Sequence, residues 1–384
     1  MRAAWFIAAA ACVPLVYAQT QTTLSRDGAS WVRVTAGAVN VAPAASLHVA
    51  TRGAVVLRGQ PDSSSVSYVV RQRVKARDEA DARRLLRELL VRAQTHGDWT
   101  TLVLMPSGRD GVDDDVKLVV PRGLRETVLE TQGGAVDAGD LDGAVRIFTA
   151  GGNIHLDRIG SSASVKTGGG EIRVGRVNGS LRCLSAGGSI HVDRTGGETW
   201  CETAGGEIVI RDAGGPLHVS TEGGNVEVQR AAGSVSANSA AGLIEIGQAG
   251  GAVYAETRGG SIQVGAAKGV QCQSAAGAIR VRSVIGAVRV STASGSILAE
   301  LLPGLHMQES FLSTGGGDIT VMIPSNLRVS VLARNESPGA GGRIVSEFPQ
   351  IRIRRAMAEG ALNGGGPLLH VTASGGIIYL RREK

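Results

Sequence analysis

Short runs of alternating apolar and polar residues return regularly through the middle of the chain, at half of an 18-residue period. In TAGGEIVIRDAGGPLHVSTEGGNVEV, residues 203–228, each Gly-Gly pair precedes one such run. A period of two is typical of a β-strand with one buried face. Strands this short do not bury a face alone, so the pattern predicts that successive units stack on one another.

Two interleaved glycine series define the repeat. The first keeps an 18-residue step as far as Gly260 and a less even step after it, and consists of Gly134, Gly152, Gly170, Gly188, Gly206, Gly224, Gly242, Gly260, Gly277, Gly295 and Gly317. The second lies halfway between and runs from Gly143 to Gly286, with Ser161 at one place. Two units therefore make one 18-residue coil. The pattern predicts an all-β fold, a two-sided parallel β-solenoid.

Two kinds of residue in each coil have a predicted structural role. Glycine at each junction predicts a tight corner with positive φ. A column of Thr and Ser, from Thr149 to Thr292, shares the inward parity of the Val and Ile positions. We expect its hydroxyls to bond to the neighbouring coil and to corner backbone groups.

The flanking segments depart from the repeat. Residues 1–18 are predicted to be a signal peptide, cleaved before Gln19, because residues 3–18 are uncharged and too short for a membrane-spanning helix. An uncleaved anchor and a lipoprotein site at Cys12 remain alternatives. Residues 19–130 are predicted to be a β-rich segment that caps the solenoid, with one short helix at 79–93 and Asp78 as its N-cap.

The solenoid repeats are predicted to occupy residues 131–323. Residues 324–384 are predicted to be C-terminal strands that close the other end of the solenoid. The motif Thr-Ala-Ser-Gly at 372–375 repeats the one at 292–295, so the last strand is expected to rejoin the array.

Composition narrows the classes of protein. The chain has 55 Gly but only 4 Trp, 4 Tyr and 4 Phe, so its core must be built from Val, Ile, Leu and Ala. The glycines follow no Gly-X-Y period, which excludes collagen. An apolar content of 43% is too high for a disordered Gly-rich tract.

The pattern Thr/Ser-x-Gly-Gly-x-Ile-x-Val, together with Lys117-Leu118-Val119-Val120-Pro121 before the array, resembles the bacterial putative-adhesin family, whose members have a Gly-rich β-solenoid domain of unknown function. The resemblance covers most of residues 30–384. It implies exposure at the cell surface or in the periplasm and supplies no catalytic residues. The chain departs from the family in its net charge of +6 and its Ala-Gly corners.

No motif with catalytic mechanics is present, so the chain is expected not to be an enzyme and to need no cofactor or metal. Glu227 and Glu245 fall on adjacent coils at a spacing near that of a retaining glycosidase pair, but a flat ladder offers no pocket. His155 and His191 are two coils apart, too far for one metal ion.

Binding residues are the better candidates. Arg158, Arg176, Arg194 and Arg230 share one column and would form a basic ridge suited to an acidic polymer, although a solubilising edge has the same pattern. Trp200 and Tyr254 have outward parity on the other sheet and could stack on sugars or partners.

The three cysteines beyond the signal segment are expected to be small buried residues. Cys183 and Cys201 share an inward column on adjacent coils, so a disulfide between them is the alternative.

These features favour an exported, non-enzymatic β-solenoid that is periplasmic, cell-surface or secreted. Its expected partner is an envelope or extracellular polymer or a surface protein, and nucleic acid is not expected. After signal cleavage the chain is expected not to span a membrane. A carbohydrate-active β-helix enzyme and a self-assembling filament scaffold are the alternatives, and the sequence leaves the oligomeric state open.

Overall fold

The computed structural model describes residues 21–86, 90–105, 112–302, 308–337 and 343–383. The predicted signal peptide lies outside these residues. The chain divides into two compact units, one that runs to residue 154 and adds 158–161, and one that comprises 155–157 and the residues from 162 onward. Both are built from β-strands, with one short helix in the first.

The first unit contains strands that precede the repeat and strands that begin it. They are β1 (Gln21–Asp27), β2 (Ser30–Asn40), β3 (Ser46–Thr51), β4 (Ala54–Gln60), β5 (Ser65–Val74), β6 (Leu90–His96), β7 (Trp99–Met105), β8 (Val112–Pro121), β9 (Glu126–Thr131), β10 (Val136–Leu141) and β11 (Ala144–Thr149). The next strand, β12 (Ile154–Ile159), crosses the division between the units.

Within the first unit, parallel pairing gives way to antiparallel pairing away from the repeat. β10 pairs in parallel with β4, and β4 with β8, after which β8, β5, β2 and β1 pair antiparallel in that order. In the second sheet, β11, β9, β3 and β7 are parallel and β6 is antiparallel to β7. Each sheet of this unit therefore ends in a hairpin.

The helix α1 (Glu79–Leu85) is shorter than the predicted 79–93. Asp78 is its N-cap, as predicted, and accepts a hydrogen bond from the Asp81 amide at 2.8 Å. Ala82 and Leu86 pack against Val74 in a small buried cluster. The prediction failed at the C-terminal end because residues 90–96 pair with β7 around the Gly97 turn, and this tertiary pairing outweighs helix propensity.

The second unit contains the remaining strands, which alternate between two sheets. They are β13 (Ala163–Thr167), β14 (Ile172–Val177), β15 (Leu181–Ser185), β16 (Ile190–Thr195), β17 (Thr199–Thr203), β18 (Ile208–Ala213), β19 (Leu217–Thr221), β20 (Val226–Ala231), β21 (Val235–Ser239), β22 (Ile244–Ala249), β23 (Val253–Thr257), β24 (Ile262–Ala266), β25 (Val270–Ser274), β26 (Ile279–Val284), β27 (Val288–Thr292), β28 (Ile297–Leu301), β29 (Ser310–Thr314), β30 (Ile319–Ile323), β31 (Val329–Asn335), β32 (Arg343–Ser346), β33 (Arg352–Arg354), β34 (Met357–Leu362), β35 (Leu368–Ala373) and β36 (Ile377–Arg382).

From β13 to β30 the odd-numbered strands pair in parallel to form one sheet, and the even-numbered strands form the other. The register joins equivalent positions of successive coils, as in Ile190 with Ile208 and Cys183 with Cys201. The predicted all-β, two-sided parallel solenoid of 18-residue coils is therefore confirmed. Inward residues such as Ile208 and Val226 are fully buried and form the core.

The buried hydroxyl column links each coil to the preceding one. The hydroxyl of Thr221 donates to the Gly206 carbonyl at 2.9 Å and accepts from the Gly224 amide at 3.1 Å. Equivalent pairs of bonds occur at Thr149, Ser185, Thr203, Ser239, Thr257, Ser274, Thr292 and Thr314. The column thus satisfies corner groups that the strand ladder leaves unpaired.

The corner glycines of the first series are required for a different reason from the one predicted. Gly206 and Gly224 do not have positive φ, so a left-handed corner does not explain them. A Cβ on Gly224 would lie 2.0 Å from the Gly206 carbonyl oxygen, and one on Gly206 would lie 2.4 Å from the Gly188 oxygen. Glycine is needed because the backbones of successive coils approach each other closely there.

The last strand rejoins the array, as predicted, but it does not form the end. β35 lies between β29 and β31, and β36 lies between β30 and β32, with parallel pairing on both sides. β34 then extends the odd-numbered sheet by antiparallel pairing to β31, and β33 extends it further by antiparallel pairing to β34. The outermost strands of this end therefore come earlier in the chain than the last coil, which lies inside them.

The cysteines of the array are buried and unbridged. Cys183 and Cys201 lie opposite each other on β15 and β17, and the described chain contains both as free thiols. Burial raises the pKa of the Cys183 thiol well above its usual value, and burial raises the pKa of Cys272 to about 12. All three behave as small core residues.

Candidate functional site

The predicted basic ridge is partly neutralised by carboxylates. In the second unit, Arg194 and Arg230 both face Asp212, at 2.7 and 3.9 Å. Arg176 is adjacent to Arg194 in the register, and its backbone amide donates to Asp157 Oδ1. In the first unit, Arg158 donates to Asp140 at 2.8 Å, and this bond lowers the pKa of that carboxyl. Three of the four predicted arginines thus have an internal counter-charge.

Glu227 and Glu245, the carboxylates considered for the alternative enzyme function, lie on an open strand surface. Glu227 and Glu245 are register neighbours on β20 and β22, and both are exposed. Gln229 donates to Glu227 at 3.4 Å. The arrangement is that of a surface ladder.

The outer face of the odd-numbered sheet carries one continuous row of side chains, which we name the central outer column. It consists of Ser164, Arg182, Trp200, His218, Ser236, Tyr254, Gln271, Arg289, Phe311 and His370. Its three aromatic residues are each about two-fifths exposed and recur every third strand, at an interval of about 14 Å.

Two of these aromatic residues are held between neighbours in the column. The Trp200 ring stacks on His218 with centroids 5.3 Å apart, and the Arg182 guanidinium lies 5.4 Å from the Trp200 ring. Phe311 repeats the arrangement: His370 stacks on it at 4.6 Å and Arg289 lies 5.9 Å away.

A carboxylate holds each imidazole of these two stacks. His218 faces Glu198 at 3.8 Å, and His370 bonds to Glu309 at 2.9 Å. Each of the two aromatic rings therefore has a side-chain neighbour on both adjacent strands, although both rings stay about as exposed as Tyr254.

Tyr254 differs from both. Its column neighbours are Ser236 and Gln271, and no ring or cation contact to its side chain occurs within the described residues. Its hydroxyl lies 3.5 Å from Glu256 on the same strand. Of the two aromatic residues predicted from the sequence, Tyr254 is thus the one that neither a second ring nor a guanidinium contacts among the described residues.

An open cavity of about 490 Å³ adjoins Tyr254. We name it the Tyr254 groove, and it is lined by Ser234, Val235, Ser236, Ala252, Val253, Tyr254, Lys268, Gly269, Val270, Gln271, Gly286, Ala287, Arg289 and Gln308. It crosses β21, β23, β25 and β27, a span of about 14 Å. The lining includes two cationic side chains and no acidic one.

The groove exists because four successive corner positions carry small residues. The residue immediately before each strand is Ser234, Ala252, Gly269 or Ala287 at the groove, whereas Pro216 occupies that position on the preceding coil and Glu309 on the following one. The coil corner is also altered here, since both glycine series shorten to a 17-residue step, at Gly277 and at Gly286.

Sequence reasoning missed this groove, although two signals pointed to it. A run of four small residues in one column predicts a depression in an otherwise filled surface. The shortened step at Gly277 and the lengthened step at Gly317 also mark this part of the array as irregular. The alternation of positions along a strand predicts that Trp200 and Tyr254 face outward. It does not predict which of the two rings packs against a neighbouring side chain.

Among the described segments, no cluster of His, Cys, Asp and Glu has the arrangement of a metal site. His191 instead lies 3.4 Å from both Glu171 and Glu207, an arrangement typical of a surface ion-pair network. In the same segments, no helix is long and apolar enough to cross a bilayer.

No protein-family model matches the chain, and no curated protein matches it in sequence. Similar solved structures include a putative cell adhesion protein from Clostridium sporogenes, at 9% identity and a TM-score of 0.18, covering 91% of this chain and 99% of that one. A putative adhesin from Bacteroides fragilis has 10% identity and a TM-score of 0.21, covering 91% and 97%.

A third similar structure is that of a putative lipid binding protein from Parabacteroides distasonis. It has 12% identity and a TM-score of 0.22, covering 77% of this chain and 98% of that one. Two of these three structures are named as a putative cell adhesion protein and a putative adhesin, the kind of protein that the sequence pattern resembles.

Proposed function

We propose that the chain is an adhesin-like, exported binding protein that holds an envelope or extracellular polymer without changing it chemically. The observation that carries this proposal is the Tyr254 groove. It combines an open aromatic ring with hydroxyl, amide and cationic groups on a rigid parallel scaffold. These groups suit a polar ligand that is recognised along an exposed surface.

The composition of the groove favours binding over hydrolysis. Its lining contains neither a carboxylate nor an imidazole, the groups that most often act as general acid and base. The carboxylate pair considered for the enzyme alternative, Glu227 and Glu245, lies on the even-numbered sheet and is exposed. An exposed pair has no low-dielectric pocket to raise the pKa of one member.

The filament alternative has less support from the strand edges. In the first unit, β1 is polar and largely exposed, with the sequence QTTLSRD. In the second unit, β33 is very short and contains Arg352 and Arg354. Short and charged outer strands are typical of proteins that avoid edge-to-edge assembly.

The experiment is to incubate the purified chain with cell-envelope fractions and with a panel of neutral and acidic polysaccharides. Bound protein and released soluble sugar are both measured. Saturable binding without released sugar is expected. Released sugar that disappears in Glu227→Gln would contradict the proposal and favour the enzyme, and absence of binding to every fraction and polysaccharide would also contradict it.

Export is tested separately. We expect the protein purified from the native cell to begin at Gln19, which N-terminal sequencing measures. A chain that retains residues 1–18 in the cytoplasm would contradict the exported location.

A further inference from the structure

We propose that the Tyr254 groove binds an acidic oligosaccharide, with a sugar ring against Tyr254 and an anionic group opposite Lys268 and Arg289. The inference rests on the proposed binding function and supplies its ligand class.

The charge of the groove calls for an anion. Lys268 is exposed, and neither Lys268 nor Arg289 has a carboxylate partner within the described residues. The Arg289 guanidinium is instead placed 5.9 Å from the Phe311 ring. A cation–π contact positions a guanidinium while leaving its N–H groups available to a carboxylate or sulfate. By contrast, Arg194 and Arg230 already face Asp212, so the groove is the better anion site.

The other side chains fit a ligand that is rich in hydroxyl groups. Ser234 and Ser236 lie on one side of Tyr254, and Gln271 and Gln308 lie on the other side of the groove. Hydroxyl and amide groups both donate and accept hydrogen bonds, as sugar hydroxyls do. The open face of Tyr254 offers apolar surface to the C–H face of a sugar ring.

The shape of the groove fits an extended segment. Its volume of about 490 Å³ lies within the range of small-ligand sites. It runs across four parallel strands, so it admits several linked sugars along the direction of coil stacking.

Beyond the groove, the column is filled by the Trp200 and Phe311 stacks. The bound segment is thus confined to the region around Tyr254, and a longer polymer would pass over the stacks.

The test is isothermal titration of the full purified chain with oligosaccharides matched in length: a polyuronate, a sulfated glucan and a neutral glucan. Binding to at least one acidic oligosaccharide is expected to be about tenfold tighter than to the neutral one, and to weaken with added salt. Tyr254→Ala and Arg289→Gln are each expected to weaken it by about tenfold or more. Comparison of the polyuronate with the sulfated glucan shows whether the groove prefers a carboxylate or a sulfate group.

Arg182→Gln is the matched control, because Arg182 occupies the same column and lies against Trp200 as Arg289 lies against Phe311. It is expected to change the affinity by less than about twofold. Equal losses in Arg182→Gln and Arg289→Gln would overturn the proposal by showing general attraction of charge. Thermal unfolding of each variant shows whether it is folded, and Tyr254→Leu replaces Tyr254→Ala if the latter is not.

Different binding results would contradict the proposed ligand class and the proposed binding function. Equally tight binding of neutral and acidic oligosaccharides, unaffected by Lys268→Gln, would overturn the ligand class and leave the binding function standing. No binding to any oligosaccharide, together with no binding to envelope fractions, would overturn both.

Discussion

The Phe311 ring and the His370 imidazole lie 4.6 Å apart with their planes 3° from parallel, although they are far apart in the chain. The contact exists because β35 is inserted beside β29, ahead of β31. Without the last coil, strands β31 and β32 would each lack a pairing partner. The C-terminal strands β35 and β36 therefore occupy inner positions of the two sheets.

Removal of residues 366–384 is expected to expose strand edges on β29, β30, β31 and β32 at once. Unpaired parallel edges recruit other chains, so the truncated protein is expected to form oligomers and to become sensitive to protease near its C-terminus. Size-exclusion chromatography and limited proteolysis measure both effects. A peptide of residues 366–384, added to the truncated chain, is expected to restore the elution volume of the full chain.

The matched control is His370→Ala, which removes the ring stack but keeps the strand. It is expected to cost about 1 kcal/mol of stability and to leave the elution volume unchanged. A truncated chain that elutes and melts like the full chain would show that the last coil is dispensable.

Two adjacent corner glycines give a sharp contrast. A Cβ on Gly224 would lie 2.0 Å from the Gly206 oxygen, whereas on Gly223 the nearest atom, the Gly205 oxygen, is 3.7 Å away. Gly224→Ala is expected to destabilise the protein by about 3 kcal/mol or more because backbone atoms must move apart. Gly223→Ala is expected to be neutral or to stabilise by less than about 1 kcal/mol. Urea denaturation compares the two, and similar midpoints would refute the steric explanation.

These examples show which parts of the structure the sequence determines. The 18-residue spacing predicted the register correctly, because alternation and stacking together leave one way to bury Ile208 and Val226. The helix beyond Leu85 and the place of β35 were not predictable from local pattern, since tertiary pairing decides both. Outward parity identified Tyr254 as an exposed residue, but only its column neighbours, Ser236 and Gln271, show that no ring or guanidinium packs against it.

The hydroxyl column is predicted to stabilise the fold because its hydroxyls form hydrogen bonds with backbone groups at the coil corners. Thr221→Val keeps the shape but leaves the Gly206 carbonyl and the Gly224 amide without their partner. The expected loss is about 1–3 kcal/mol, since two partly buried polar groups become unpaired. Hydrogen exchange of the Gly224 amide measures the effect locally, which suits a repeat array that need not unfold in one step.

Thr221→Ser is the control for this substitution. Serine already occupies the column at Ser185, Ser239 and Ser274, where it makes both bonds. Loss of the methyl group alone is expected to cost about 1 kcal/mol and to leave the Gly224 amide protected. Equal loss of protection in the Val and Ser variants would contradict a hydrogen-bonding role.

Asp114 on β8 gives a prediction about pH. Burial raises the pKa of its carboxyl, and the hydrogen bond from buried Gln72, at 3.2 Å, only partly offsets this. Because the folded pKa lies above the unfolded value, the native state binds the proton more tightly. Ionisation therefore lowers stability once the pH rises through the folded pKa, and this loss is absent below the unfolded value of about 3.9.

Asp114→Asn, which can still accept from Gln72, is thus expected to be more stable than the natural chain near pH 7. The gain is expected to be less than about 1 kcal/mol because solvent screens the half-buried carboxyl, and to vanish as the pH falls through the two pKa values. Urea denaturation between about pH 3 and 8 measures this dependence. Asp115→Asn, at an exposed position of the same strand, is the control and should show a smaller effect. A gain that persists undiminished at acid pH would mean that packing, and not ionisation of Asp114, is responsible.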